Sequence, residues 1–334
     1  MKLRNNIKIS ALLVLALSLA FVIAIPIMFQ GYSLMVVNIS MIYAIITLGI
    51  SIMLGMGGQL SFAGLAFMGY GAYFVANMCT GRLGFQMPTL LALVLALVFC
   101  GIAAYVIGLI LLKLKDTYFT FATIALVQVS FSFFTNYRPL FGGPDGISGI
   151  PNLSIGGFEL TDNNRWFYFL AAVLAVLAVI VERIRRTGFG RALASVRDND
   201  TAALTLGVDV YKTKVKAFTI SGIFGGLAGA LYVMQGHFVA SDLFAYNNAT
   251  QFIIMAMVGG INNTFGSIVG SVLITILPEV FRSLERYLQL FYGLAVILLM
   301  VFMPMGISGM MQQIGSFFKR KSSVPKPEKQ EVKK

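Results

Sequence analysis

Long apolar runs alternate with short polar breaks along almost the whole chain, and one break is far longer than the others. Apolar segments fall at about 9–29, 33–54, 61–79, 88–112, 117–136, 166–181, 217–236, 248–261, 264–281 and 287–304. A helix needs about 20 apolar residues to cross a hydrocarbon core of ~30 Å. The pattern therefore predicts an all-α, polytopic integral membrane protein with about ten transmembrane segments. The segment at 248–261 is too short to cross untilted, and glycines interrupt others, so discontinuous or re-entrant helices are expected. Lys2, Arg4 and Lys8 precede the first run as they would in a signal peptide. That run is long enough to span, however, and no small-residue cleavage site follows it, which predicts a retained helix.

The long break runs from Glu182 to Lys216 and carries eight basic residues: Arg183, Arg185, Arg186, Arg191, Arg197, Lys212, Lys214 and Lys216. Within it, Gly190 to Gly207 reads as two short helical pieces joined by a polar turn. Leu193 and Val196 give the first piece an apolar stripe at i, i+3. Asp198 and Asn199 can cap the second, and Gly207 can stop it in a left-handed cap. Ala202 and Ala203 leave a surface that another protein could approach closely. A solvated loop whose charge only fixes topology fits the same composition.

Charge placement orients the chain. Twenty basic residues lie before the first span, at Lys113 and Lys115, in the 182–216 break, or after Met305; only Arg82, Arg138, Arg165, Arg282 and Arg286 fall on the other side. The positive-inside rule then puts both termini in the cytoplasm, with an even number of crossings. Trp166 and Tyr168 open a span on the outer side, where an aromatic belt is expected. The chain divides into a cytoplasmic N-terminus (1–8), a transmembrane domain (9–310) with its basic loop, and a basic tail (311–334) that reads as disordered and lipid-facing. Composition agrees: 58% of the residues are hydrophobic and 11% charged, against about 25% charged in a soluble domain. A net charge of +12 could suggest nucleic acid, but the basic residues sit beside apolar spans, and membrane lipid explains them better.

No ionisable residue lies in a span interior except Glu279, near the outer end of its segment. Proton-driven carriers place such groups at mid-depth, although a sodium site of backbone carbonyls remains open. His237 sits at the end of a helix and reads as an interfacial residue. No phosphate-binding loop or catalytic triad is present, and Cys79 and Cys100 offer neither a disulfide framework nor a metal site. Two glycine-rich breaks, Gly55-Met-Gly57-Gly58 before Gln59, Ser61 and Gly64, and Gly259-Gly260-Ile-Asn-Asn-Thr-Phe-Gly266, are either cytoplasmic turns or broken helices along a translocation path. Ala217, Ser221, Gly225 and Gly229, with Gly222, Gly226 and Ala230 beside them, form ridges that let helix backbones approach. Ser267, Ser271 and Thr275 form a polar ridge of the same spacing.

Several stretches together resemble the permease subunits of ABC importers for branched-chain amino acids, the M-type subunit most nearly. They are Gly188-Phe-Gly-Arg-Ala-Leu-Ala-Ser-Val-Arg-Asp-Asn-Asp-Thr-Ala-Ala-Leu-Thr-Leu-Gly207, Gln59-Leu-Ser-Phe-Ala-Gly64, Tyr118 to Leu126, Gly142-Gly-Pro-Asp-Gly-Ile-Ser-Gly-Ile-Pro151, Gly226-Leu-Ala-Gly and Gly266-Ser-Ile-Val-Gly270. Two departures stand out: Asp200 where the family has Glu, and Asn262-Asn263-Thr264 where it has a Gly-Ser-rich turn.

The resemblance implies a chain in a bacterial inner membrane that imports branched-chain amino acids and binds no cofactor itself, ATP being used by two separate ATPase subunits. Gly190, Arg191, Arg197, Asp198, Asn199, Asp200, Ala202, Ala203 and Gly207 would dock the ATPase. Gly57, Gly58, Gln59, Ser61, Gly64, Gly259 and Gly260 would line the path. Gly142, Gly143, Asp145, Gly146, Gly149 and Pro151 would face an extracytoplasmic binding protein, and a second, related permease would complete the pore. Urea, short amides and simple sugars are alternative cargoes, and an ion-coupled carrier is the alternative of a different class.

Overall fold

The computed structural model describes residues 28–82 and 84–280, with a few isolated positions outside them. The expected first and tenth spans and the basic tail lie essentially outside the described residues. Between them, every expected segment is a helix. These are α1 (Tyr32–Ile50), α2 (Ala63–Cys79), α3 (Thr89–Leu111), α4 (Asp116–Asn136) and α5 (Asn163–Arg186). The basic segment follows as α6 (Gly188–Asp198) and α7 (Asp200–Thr205), and then α8 (Val210–Gly236), α9 (Tyr246–Gly259) and α10 (Thr264–Val280). Among the described residues, α3, α4, α5, α8, and α1 with its continuation to Met56 are long and apolar enough to cross a membrane.

Two boundaries differ from expectation. The basic break was set at 182–216, but its first residues extend α5 and its last ones open α8. Glu182 explains the first: it pairs with Arg185 and Arg186 one turn on, at 3.4 and 2.8 Å, so the charges support the helix they were expected to end. Asp209 explains the second, because its side chain accepts from the Lys212 amide at 3.0 Å and caps α8. Only 187–209 lies outside these two long helices. Trp166 and Tyr168 lie in the first turns of α5; Trp166 is 2% exposed and packed in the core, and Tyr168 faces outward.

α9 has 14 residues, about 21 Å at 1.5 Å per residue, and so falls short of a full crossing. The backbone that precedes it is irregular and inward-facing, with Val239, Ser241 and Phe244 buried. Phe238–Val239 pairs with Ile147–Ser148 from the loop after α4. His237 adopts a left-handed φ of 56°, and its Nδ1 lies 2.7 Å from the Ile150 carbonyl. Non-helical backbone inside a membrane protein has to find such partners in protein or water.

α8 is the centre of the bundle and packs against α1, α2 and α3. Its small-residue ridges are used here, within the chain. A side chain at Gly229 would overlap the Met68 carbonyl, and one at Gly71 would overlap the Gly226 carbonyl. Gly225 is equally close, with a Cβ there reaching 2.6 Å from Gly64 O. Hydrophobicity cannot drive helices together in lipid, so dispersion between closely approaching backbones does so instead. The ridge on α10 works the same way. Ser267 and Ser271 are buried, and Gly259 and Gly270 meet across the α9–α10 hairpin.

Gly229→Ala should cost about 1–3 kcal/mol through overpacking against rigid backbone. Gly236→Ala, on the same helix with nothing within 4 Å, should be near neutral. Thermal unfolding of the detergent-purified protein compares the two, and equal melting temperatures would contradict the packing described.

Candidate functional site

The basic segment is a folded unit seated on the end of the bundle. Thr187 caps α6, its Oγ1 accepting from the Gly190 amide at 3.3 Å. Leu193 and Val196 are buried beneath the helix, as their spacing predicted. Asn199, and not Asp198, caps α7 by accepting from the Ala202 amide at 3.0 Å. Asp198 instead ends α6 and pairs with Arg197 at 3.0 Å. Gly207 closes the unit with φ of 81°.

The seat is made of the two glycine breaks, which the fold brings together. A side chain at Gly55 would overlap the carbonyl of Ile261, from the α9–α10 turn. α1 reaches this point through a π-helical turn at Ser51–Met56, a form frequent at functional sites. Arg197 crosses from α6 and donates from Nη1 to the Gly55 carbonyl at 3.0 Å. Its stem occupies the space over Gly58, where a Cβ would stand 2.6 Å from Arg197 Cγ. Gly58 has φ of 67°, so glycine there supplies both the turn and the room for Arg197. A Cβ at Gly57 would come within 3.4 Å of Leu193.

A second tie runs through Lys214, on the first turns of α8. Its side chain is 10% exposed and its Nζ lies 2.5 Å from Asp200 Oδ2 and 3.7 Å from Asp116 Oδ1. Gln59 donates from Nε2 to the same Asp116 oxygen at 2.5 Å. α7 and α4 therefore converge on the buried ammonium of α8, and the chain after Gly58 joins them through Asp116. The Lys212 amide, with its ammonium, also holds the neighbouring Asp209 carboxyl below the ordinary carboxylate range.

The expected site residues fall into separate groups. Arg191, Arg197, Asp198, Asn199, Ala202 and Gly207 lie on the exposed face of the unit, with Asp200 partly covered by Lys214. Gly190 and Ala203 do not. A Cβ at Gly190 would strike the Ile184 and Arg185 carbonyls, and Ala203 is buried, so their small size serves internal packing. Of the expected path residues, Gly57 and Gly58 lie beneath α6, and Gln59 bonds Asp116 at the start of α4. Gly259 and Gly260 close the α9–α10 turn, Ser61 accepts from the Ala63 amide, and Gly64 packs on Ile46 and Ile50. At the other end, Asp145, Gly149 and Pro151 are exposed, while Gly143 is buried; Gly142 and Gly146 are partly covered, and all four glycines have positive φ.

Sequence reasoning missed Leu204 and Leu206, which are 58% and 79% exposed on α7 and just after it. Two large apolar side chains left in water two residues apart would gain from being covered by a partner, at about 25 cal/mol per Å² buried. Their position, within about two turns of the Asn199 cap, was the available signal. It also missed Lys214, which is only one of eight basic residues until the fold selects it.

No solved structure matches the chain. The high-affinity branched-chain amino acid transport system permease protein LivM of Salmonella typhimurium is 28% identical over 91% of this chain and 75% of its own length. A probable branched-chain amino acid transport permease protein LivM of Methanocaldococcus jannaschii is 25% identical over 64% of this chain and 68% of its own. A nucleoside ABC transporter permease protein, NupC of Lactococcus lactis, is 36% identical over only 31% of this chain and 32% of its own length. A family model described as the branched-chain amino acid transport system permease component matches residues 32–303, and the chain, a multi-pass membrane protein, belongs to that family.

Proposed function

We propose that this chain is the membrane-spanning subunit of an ATP-driven importer of branched-chain amino acids in a bacterial cytoplasmic membrane, and that a separate ATPase grips α6 and α7. The observation that carries the reading is the convergence at the basic end: exposed leucines and charges on one face of the unit, and from its other side bonds by Arg197 to the Gly55 carbonyl and by Asp200 to Lys214, which also pairs with Asp116. A contact made on the exposed face would be transmitted by Arg197 to the glycine breaks and by Asp200 through Lys214 to α4 and α8. Energy entering by this route needs no coupling ion, in keeping with spans that hold no ionisable residue at mid-depth.

The remaining partners follow from the same reading. A second, related permease would face this one across the path, two ATPase subunits would act on the pair, and an extracytoplasmic binding protein would deliver cargo to the 142–151 loop. The basic end would face the cytoplasm, and ATP would be used by the ATPase subunits alone. Relatives of this chain over most of its length are described as branched-chain amino acid permeases, whereas permeases for nucleosides or xylose match only a third or so of it. That difference favours the aliphatic amino acids over sugars, urea or short amides.

Leu206→Asp should abolish co-purification of the ATPase and uptake of labelled leucine while leaving the melting temperature of the chain unchanged, since the side chain is 79% exposed. Retained uptake would remove α7 from the interface. Lys214→Met should keep the ATPase bound but lower leucine uptake about tenfold, the equivalent of ~1.4 kcal/mol of lost coupling. Uptake at the native rate in that variant would show that the convergence on Lys214 transmits nothing.

A further inference from the structure

α4 carries Gln128, Ser132 and Asn136 at successive four-residue steps, so the three form one stripe, and all three are exposed. Apart from a bond from Asn136 Nδ2 to the Ser132 carbonyl at 2.9 Å, these side chains have no hydrogen-bond partner among the described residues. Hydrocarbon would leave them unsatisfied, and such groups in spans turn toward protein or water. The stripe opens on a groove of about 530 Å³ together with Val129, Phe133 and Tyr137.

A second cavity, of about 400 Å³, shares Val129, Phe133 and Tyr137 with that groove and runs inward between α2, α3 and α4. Its wall is aromatic. Tyr73 stands 5.0 Å from Phe141, ring centre to ring centre, and Phe74 stacks on Phe99 at 5.2 Å. Two buried polar atoms in this wall lack partners: the hydroxyl of Tyr73, which is 1% exposed, and Oδ1 of Asn77, which is 6% exposed. The Asn77 amide nitrogen is held by the carbonyls of Tyr73 and Leu140, both at 2.8 Å, so its oxygen is fixed in place. Buried polar groups are rarely left unpaired in a native protein, and each instance calls for a reason such as an absent ligand or water.

We propose that these adjoining spaces form a transit site for the transported solute on the far half of the path from the coupling unit. An aliphatic side chain enters the aromatic cavity, and the polar end of the molecule lies along the amide and hydroxyl stripe of α4. No carboxylate, ammonium or guanidinium lines either space. The site therefore suits a zwitterion or neutral amphiphile, whose ends amide dipoles can solvate without a trapping ion pair. This inference deepens the importer reading given above and rests on it.

The test uses the complete importer in proteoliposomes. Leucine uptake by the unmodified assembly is measured first and decides the importer reading by itself. Ser132→Cys, Asn136→Cys and, for comparison, Val176→Cys on the exposed apolar face of α5 are then made singly, with Cys79 and Cys100 replaced by Ala. A membrane-impermeant, charged thiol reagent should modify the two α4 cysteines at least tenfold faster than Val176→Cys. Leucine should slow that reaction, and the modification should stop uptake. Reaction at the Val176→Cys rate would overturn the proposal, leaving α4 against lipid or a second permease, and so would fast reaction that leucine leaves unchanged. Phe133→Trp, at a half-exposed position that tolerates size, narrows the shared opening and should reduce leucine uptake more than alanine uptake. An equal reduction would remove the aromatic cavity from solute selection.

Discussion

The contact between Arg197 and the Gly55 carbonyl is possible only because Gly58 has no side chain. The guanidinium has to pass over the turn at Gly57–Gly58, and a single methyl group there would meet its stem at 2.6 Å. Around that passage the two glycine breaks close on each other, α6 settles on Leu193 and Val196, and α7 is held in line by Asp200 and Lys214. The helices beneath keep their own places by backbone approach along α8. The basic unit is thereby joined to the bundle by Arg197, by Lys214 and by the packing of Leu193 and Val196.

The division of labour follows from what each end can afford in a membrane. Ion pairs are cheap at the aqueous end, where Glu182, Arg185, Asp200 and Lys214 form them. The mid-depth portions of the described spans hold glycine, serine and alanine in their place, because small residues let backbones touch without burying charge. The described residues thus divide into a charged end and an uncharged body. At the opposite end the 142–151 loop is pinned to the segment after α8 by two paired residues and by His237, so the ends of α4 and α8 are tied together there as well.

Much of this was legible in the sequence, for identifiable reasons. Helix positions between 33 and 281 followed from apolar run lengths, since the bilayer fixes how long a span must be. The α6 stripe and the Asn199 cap followed from local rules that depend on a few neighbouring residues. What was not legible depended on residues far apart in the chain. Gly55 meeting Ile261, Lys214 chosen from eight basic residues, and Ala203 turned inward while Leu206 turns outward are products of tertiary packing. The glycine breaks were open to two readings, cytoplasmic turn or broken helix in the path. They sit beneath Arg197 because the fold brings both to the same end. The burial of Trp166 was not legible for a related reason: a neighbouring helix covers it, which its place at the start of a span does not reveal.

The claim that matters most is that work enters this protein through its basic end from a nucleotide-hydrolysing partner. Leucine accumulation against a concentration gradient, measured in proteoliposomes containing the purified chain alone and then the chain with its permease, ATPase and binding-protein partners, tests it most directly. Accumulation should be absent in the first case, even with proton and sodium gradients imposed, and should appear in the second only with ATP. Ion-driven accumulation by the chain alone would contradict it.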